Sequence, residues 1–202
     1  MSLATVVVTA SAGAFPGLVE ALRAIPVAVE EVPLMDFAPP LDWGAVDAAV
    51  RQLDGYSAIA FTSPRSARAF GGRLRAVGVT TPHRTAVWAA GAGTAQALGD
   101  DFATVRQPDA DAVAARGAAA ALADALVGSG LEGPVLFPCG DIRRDELPVR
   151  LRKEGITVDE VVCYRSVLAG ESDAREAADR AQVLIVASPS VAGLLARACP
   201  PG

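Results

Sequence analysis

Apolar residues along this chain fall into two spacings that take turns. Short runs of strand character, Thr5 to Thr9, Val27 to Val32, Tyr56 to Thr62, Thr85 to Ala89, Val135 to Phe137, Ile156 to Tyr164 and Gln182 to Ala187, are separated by segments whose apolar positions recur at helical spacing. The helical segments end near Ala24, span Trp43 to Leu53 and Pro64 to Val77, reach Leu98, cover the alanine-rich Ala110 to Val127, run from about Asp145 to Gly155, and close with Ser172 to Arg180 and Pro189 to about Ala198. Such alternation predicts an α/β chain with parallel sheets. A weak further strand is expected near Phe102 to Val105. Prolines sharpen the boundaries. Pro64 and Pro189 suit first helical turns, and Pro138, with no amide to donate, predicts the end of the strand that starts at Val135. Pro33, Pro39 and Pro40 mark an extended crossing between two domains.

Two stretches of this pattern echo each other. IAFTSPRSA at Ile59 to Ala67 lines up with LIVASPSVA at Leu184 to Ala192, placing Ser63 over Ser188 and Pro64 over Pro189, so two similar half-molecules are implied. The second half is expected to be unfinished. The most readable unit is Val135 to Tyr164, a strand, loop, helix and strand in succession. Within it Gly140 is expected to take a backbone geometry closed to other residues, Asp141 to turn the chain, Arg143 and Arg144 to carry positive charge, and Tyr164 to end the last strand. In open α/β sheets ligands gather at the carboxyl ends of strands, among helix amino termini and loop amides. Ser63 to Arg65, Gly91 to Thr94, Gly140 to Arg144 and Ser188 to Ser190 qualify, with Thr9 to Gly13 a fifth loop. Helix capping accounts equally well for the two serines, a backbone-bonded phenol for Tyr164, and a solvated surface for the arginines.

Composition narrows the chemistry. The chain has 202 residues, 51% of them apolar, and a net charge of -5, which describes a folded globular protein of one large or two small domains. An isoelectric point near 4.9 argues against a nucleic-acid partner. No apolar run reaches membrane length without a charge, and even the alanine-rich Ala110 to Val127 contains Asp111, Arg116 and Asp124, so no membrane segment is expected. The amino terminus lacks the basic start of a signal peptide, and a cytoplasmic location is the expectation. Cys139, Cys163 and Cys199 show no paired spacing and read as reduced thiols rather than a disulfide or zinc set. His83, the only histidine, stands between Pro82 and Arg84 in a loop, which weakens any Ser-His or Cys-His mechanism. Neither phosphate-binding glycine motif is present, and no cofactor or metal is expected.

Five motifs in register go further. FTSPR at Phe61 to Arg65, the G-x-x-T of Gly91 to Thr94, FPCG at Phe137 to Gly140 followed by Arg143, Arg144 and the ELP of Glu146 to Pro148, the Tyr-Arg-Ser of Tyr164 to Ser166, and SPS at Ser188 to Ser190 together resemble the uroporphyrinogen-III synthase family in order and spacing. The resemblance implies two flavodoxin-like three-layer α/β domains with parallel sheets joined by a two-stranded extended linker, the first from residues 1–34 with 167–202 and the second from 35–166. It implies closure of the linear tetrapyrrole hydroxymethylbilane with inversion of ring D and loss of water, without a cofactor. Tyr164 is implied as the acid, and Ser63, Arg65, Gly91, Thr94, Gly140, Asp141, Arg143, Ser188 and Ser190 as substrate-binding residues. A monomer is expected. The chain departs from the family where Ala10, not an arginine, follows Thr9, and where the family continues beyond SPS through a further turn and helix. A two-lobed small-anion binding module without catalysis and an inactive shortened synthase are the competing expectations.

Overall fold

The computed structural model describes residues 3–11, 13–15, 17–80 and 84–200, which leaves His83 and one residue of the Thr9 to Gly13 loop outside it. In chain order the elements are β1 (Ala4–Val8), α1 (Leu18–Arg23), β2 (Val27–Glu31), β3 (Met35–Ala38), α2 (Gly44–Arg51), β4 (Ala58–Phe61), α3 (Pro64–Val77), β5 (Ala86–Ala89), α4 (Ala92–Leu98), α5 (Ala110–Arg116), α6 (Ala118–Gly128), β6 (Val135–Gly140), α7 (Glu146–Lys153), β7 (Val158–Leu168), α8 (Glu171–Arg180), β8 (Val183–Ile185) and α9 (Pro189–Ala198). Two compact units result: Met1–Ala38 with Ser166–Gly202, and Pro39–Arg165.

The first unit carries a sheet of order β2-β1-β8 in which both pairings are parallel. The other sheet has the order β3-β7-β6-β4-β5, with β4 parallel to β5 and β6, and β6 parallel to β7. The chain leaves β1 for β2 and later returns on its other side as β8, and in the same way leaves β4 for β5 and returns on its other side as β6. The winding reverses between β1 and β8, and between β4 and β6, and at such reversals the connecting loops part and open a crevice at the strands' carboxyl ends.

Strand β4 shows how the second unit builds its core on both faces. Its residues alternate small and large: Ile59 and Phe61 pack with Phe70 and Leu74 of α3 and Leu98 of α4, while Ala58 and Ala60 face Leu122 and Leu126 of α6 and Leu147 and Leu151 of α7. The Phe61 ring lies 5.7 Å from that of Phe70 and 5.9 Å from that of Phe102. Each such aromatic or leucine side chain contributes roughly 1.5–3 kcal/mol by leaving water. In the first unit Val7 and Leu34 pack with Ala174 and Ala177 of α8 and Val191, Leu194 and Ala198 of α9.

Four local expectations are corrected. The alanine-rich stretch is two helices, because Gly117 stands at φ 85°, ψ 156°, a conformation that ends α5 before α6 begins. Pro138 does not stop its strand. The β4 ladder touches β6 only at Val135 and Leu136, so beyond Leu136 that side of β6 is open, and a missing amide there breaks no ladder bond. Tyr164 is not a strand end either, since β7 runs on to Leu168. Near Phe102 to Val105 there is no strand, only a single bridge from Arg106 to Trp88.

Candidate functional site

At the β4/β6 reversal a cavity of about 570 Å³ opens within the second unit. Three helices begin at its wall. The first is α3, whose Ser63 hydroxyl oxygen accepts the Ser66 amide at 3.1 Å and so satisfies one donor of the first turn. The other two, α6 and α7, begin after Gly117 and Asp145, neither of which caps with its side chain. First-turn amides lack intrahelical acceptors and carry the positive end of the helix dipole, so Ala118 and Ala119 present donors to the cavity they line, whereas the Gly117 amide is spent on the Val113 carbonyl at 2.9 Å. Uncapped amides at a crevice are suited to carboxylate or phosphate oxygens.

Arg116, Arg143 and Arg144 line the same cavity, but they are not equivalent. Arg143 is committed to Glu160: Nε lies 2.5 Å from Oε2, and Nη2 contacts the same oxygen. Burial works against the Arg143 charge, yet the Glu160 hydrogen bond together with the surrounding negative groups outweighs it and raises the guanidinium pKa. Glu160 answers in kind. Burial pushes its carboxyl up, but hydrogen bonds from Arg152, at 2.8 Å, and from Arg143 hold it below the usual range. Arg116 pairs with Asp124. Arg144 is exposed and paired with no carboxylate among the described residues, which makes it the cation best able to take up an incoming anion.

Tyr164 also lines the cavity, beside Gly140 and Cys139. Its carbonyl accepts the Asp141 amide at 3.1 Å, and the Arg65 guanidinium carbon lies 5.8 Å from its ring centroid. The Cys139 thiol is no nucleophile here: burial, only partly offset by Arg143, pushes its pKa up to about 11.

The first unit has its own crevice at the β1/β8 reversal, about 160 Å³, lined by Thr9, Phe15, Met35, Phe37, Ser188 and neighbouring small residues, none of them charged. Thr9 Oγ1 donates to the Ile185 carbonyl at 2.9 Å. Ser188 occupies the N-cap position of α9 without capping it through its side chain.

Of the residues singled out in the sequence, Ser63, Gly140, Arg143 and Tyr164 share the second unit's cavity, with Arg65 against the Tyr164 ring. Asp141 turns the loop at the cavity's rim, its carboxylate accepting the Ile142 amide at 2.8 Å. Gly91 and Thr94 do not line this cavity: Gly91 precedes α4, and Thr94 is buried within that helix, its amide bonded to the Gly91 carbonyl at 3.0 Å. Ser188 belongs to the first unit's crevice, and Ser190 sits in the first turn of α9 without lining it. Gly140 lacks the left-handed backbone expected of it. Arg116, read in the sequence only as a charge that excludes a membrane segment, and Gly117 were not expected as site residues. The glycine interrupting an otherwise unbroken alanine run was the available signal. Among the described residues no group of three or more His, Cys, Asp or Glu side chains converges as metal ligands would.

Comparison with known proteins places this geometry. The family model for uroporphyrinogen-III synthase HemD matches residues 17–200. No curated protein matches the sequence. Solved structures do. A selenomethionine mutant of uroporphyrinogen III synthase from the extreme thermophile Thermus thermophilus aligns with a TM-score of 0.64 at 18% identity, covering 96% of this chain and 77% of that one. The enzyme from Helicobacter pylori aligns with a TM-score of 0.57 at 16% identity, over 96% of this chain and 78% of the other. At such identities these likenesses speak for the fold.

Proposed function

The chain belongs to the uroporphyrinogen-III synthase family, and from that premise we infer that its second unit binds carboxylates of hydroxymethylbilane while the protein closes that chain with ring D inverted. One observation carries the reading for this chain's own residues: three helix amino termini, two without side-chain caps, meet three arginines and a tyrosine around one cavity. The linear tetrapyrrole bears eight carboxylates, and amides, Ser63 and Arg144 supply the dispersed donors that such a substrate needs. Net acidity of the whole chain is no obstacle, because the field that matters is local.

The chemistry asks more for orientation than for covalent help. Loss of the terminal hydroxyl as water, with a proton delivered to it, leaves an electron-deficient azafulvene. Its carbon then meets ring D at the already substituted position, the spiro intermediate reopens, and reclosure turns ring D over; the proton lost on rearomatisation restores the acid. Holding the chain so that the hindered carbon is the one within reach is worth many orders of magnitude in effective concentration. We take Tyr164, whose phenol lines the cavity beside Gly140, as the acid. Because the pyrrole nitrogen already expels the hydroxyl, Tyr164→Phe is expected to slow turnover by about 10²-fold, the low end for general acid catalysis, rather than abolish it. We take the working form to be a cytoplasmic monomer. Among the described residues no helix is long and apolar enough to cross a membrane.

The test is the isomer ratio of product from freshly generated hydroxymethylbilane, with and without the protein. Isomer III above the blank supports the reading. Isomer I alone, at the blank rate and from protein shown to be folded, removes it and leaves an anion-binding module.

A further inference from the structure

Gly140 sits where a side chain has no room. A methyl carbon built on it would lie 2.5 Å from Cζ, 2.6 Å from Cε2 and 2.8 Å from the hydroxyl oxygen of Tyr164, all inside van der Waals contact. Its backbone does not demand glycine, for its φ lies outside the left-handed region. The ring across it does. The ladder between β6 and β7 explains how the ring arrives: Phe137 pairs with Glu160, Pro138 with Val161 and Cys139 with Val162, but Gly140 pairs with Tyr164. Cys163 is therefore the extra residue of a β-bulge, and regular pairing would have set Cys163, not Tyr164, opposite Gly140. That shift is held at both ends. Cys163 is buried, 1% exposed, in the core on the α3 side, and the Asp141 amide donates to the Tyr164 carbonyl at 3.1 Å.

The geometry points to Gly140 as the seat of Tyr164, a positioning residue whose missing side chain, together with the bulge at Cys163, sets where the phenol hydroxyl stands in the cavity. This rests on the reading of Tyr164 as the acid. A methyl at Gly140 displaces the hydroxyl, and a misplacement of about 1 Å in a reacting constellation can cost about 10²-fold. Ring and glycine act as one unit, so their substitutions are not additive.

The chain has two tyrosines, Tyr56 and Tyr164, so protein labelled with 3-fluorotyrosine gives two ¹⁹F resonances, assigned by Tyr56→Phe. In Gly140→Ala the Tyr164 resonance is expected to move while that of Tyr56 stays, and turnover to fall about 10- to 100-fold. In a Tyr164→Ala background, where the obstructing ring is gone, adding Gly140→Ala changes turnover by less than about twofold. An unmoved Tyr164 resonance, or an equal loss of turnover in both backgrounds, overturns the seat. If Gly140→Ala does not fold, the double variant is expected to regain folding, and its failure to do so overturns the seat equally. A moved resonance with unchanged turnover sustains the seat and removes the acid role instead.

Discussion

The Tyr56 hydroxyl donates to the Asp159 carboxylate at 2.9 Å, joining the approach to β4 with the start of β7 at the end of the sheet away from the cavity. Burial, then the hydrogen bond and the negative charge of Asp159, push its pKa up from 10.0 to about 12. The fold thus prefers the protonated phenol. Stability from this contact is complete below the unfolded value near 10.0 and is lost as pH rises through about 12. Urea midpoints compared between pH 8 and pH 11 should fall more steeply for the parent than for Tyr56→Phe, and equal slopes would contradict the assignment. Ser63 has two duties that one substitution separates: Ser63→Ala should cost about 1 kcal/mol of unfolding free energy through the lost cap and also raise KM. Individual residues were legible in the sequence where their duty is local. Ser63 before Pro64 is one such case, a serine fixed at a helix start by its neighbour. The duties of Arg143 and Gly140 were not, because Glu160 and Tyr164 reach them only across the β6/β7 ladder, and no spacing along the chain announces a register.

Among elements, the α5/α6 break does most to shape the cavity. Nothing lies within 4 Å of a methyl placed on Gly117, so the barrier to a side chain there is conformational rather than steric. Gly117→Ala must hold φ near 85° and ψ near 156°, a region essentially reserved for glycine, or else let α5 and α6 rejoin. The expected result is a loss of about 1–3 kcal/mol in denaturant unfolding, with a raised KM as the α6 amides leave the wall. Unchanged stability and KM together would remove α6 from the site. Helix α3 was readable to the residue, since Pro64 opens it and Gly78, at φ 73°, closes it with chemistry that belongs to those positions alone. The alanine run was not, because alanine favours helix so uniformly that its periodicity hides an interruption.

At the scale of the molecule, the doubly wound order was implicit in the alternation of strand and helix, whereas which strands would neighbour which was not. The pairing of Val6 with Val183 joins positions that no local pattern links. The serine-proline echo was the one long-range signal, and both copies do stand where β4 and β8 hand over to helices. The route of the chain through the two units bears on its birth. Pro39–Arg165 is continuous and can close its core as soon as it has left the ribosome, but β1 and β2 must wait for α8, β8 and α9, which are made after it. At roughly 5–20 residues per second that interval is on the order of ten seconds. Stalled nascent chains of increasing length should therefore show protease protection of the second unit before that of Ala4–Val8. Simultaneous protection would mean that the amino-terminal strands find other shelter. Until β8 emerges, the unpaired side of β1 is a bare strand edge on a translating ribosome, and it is the surface that a chaperone would meet first.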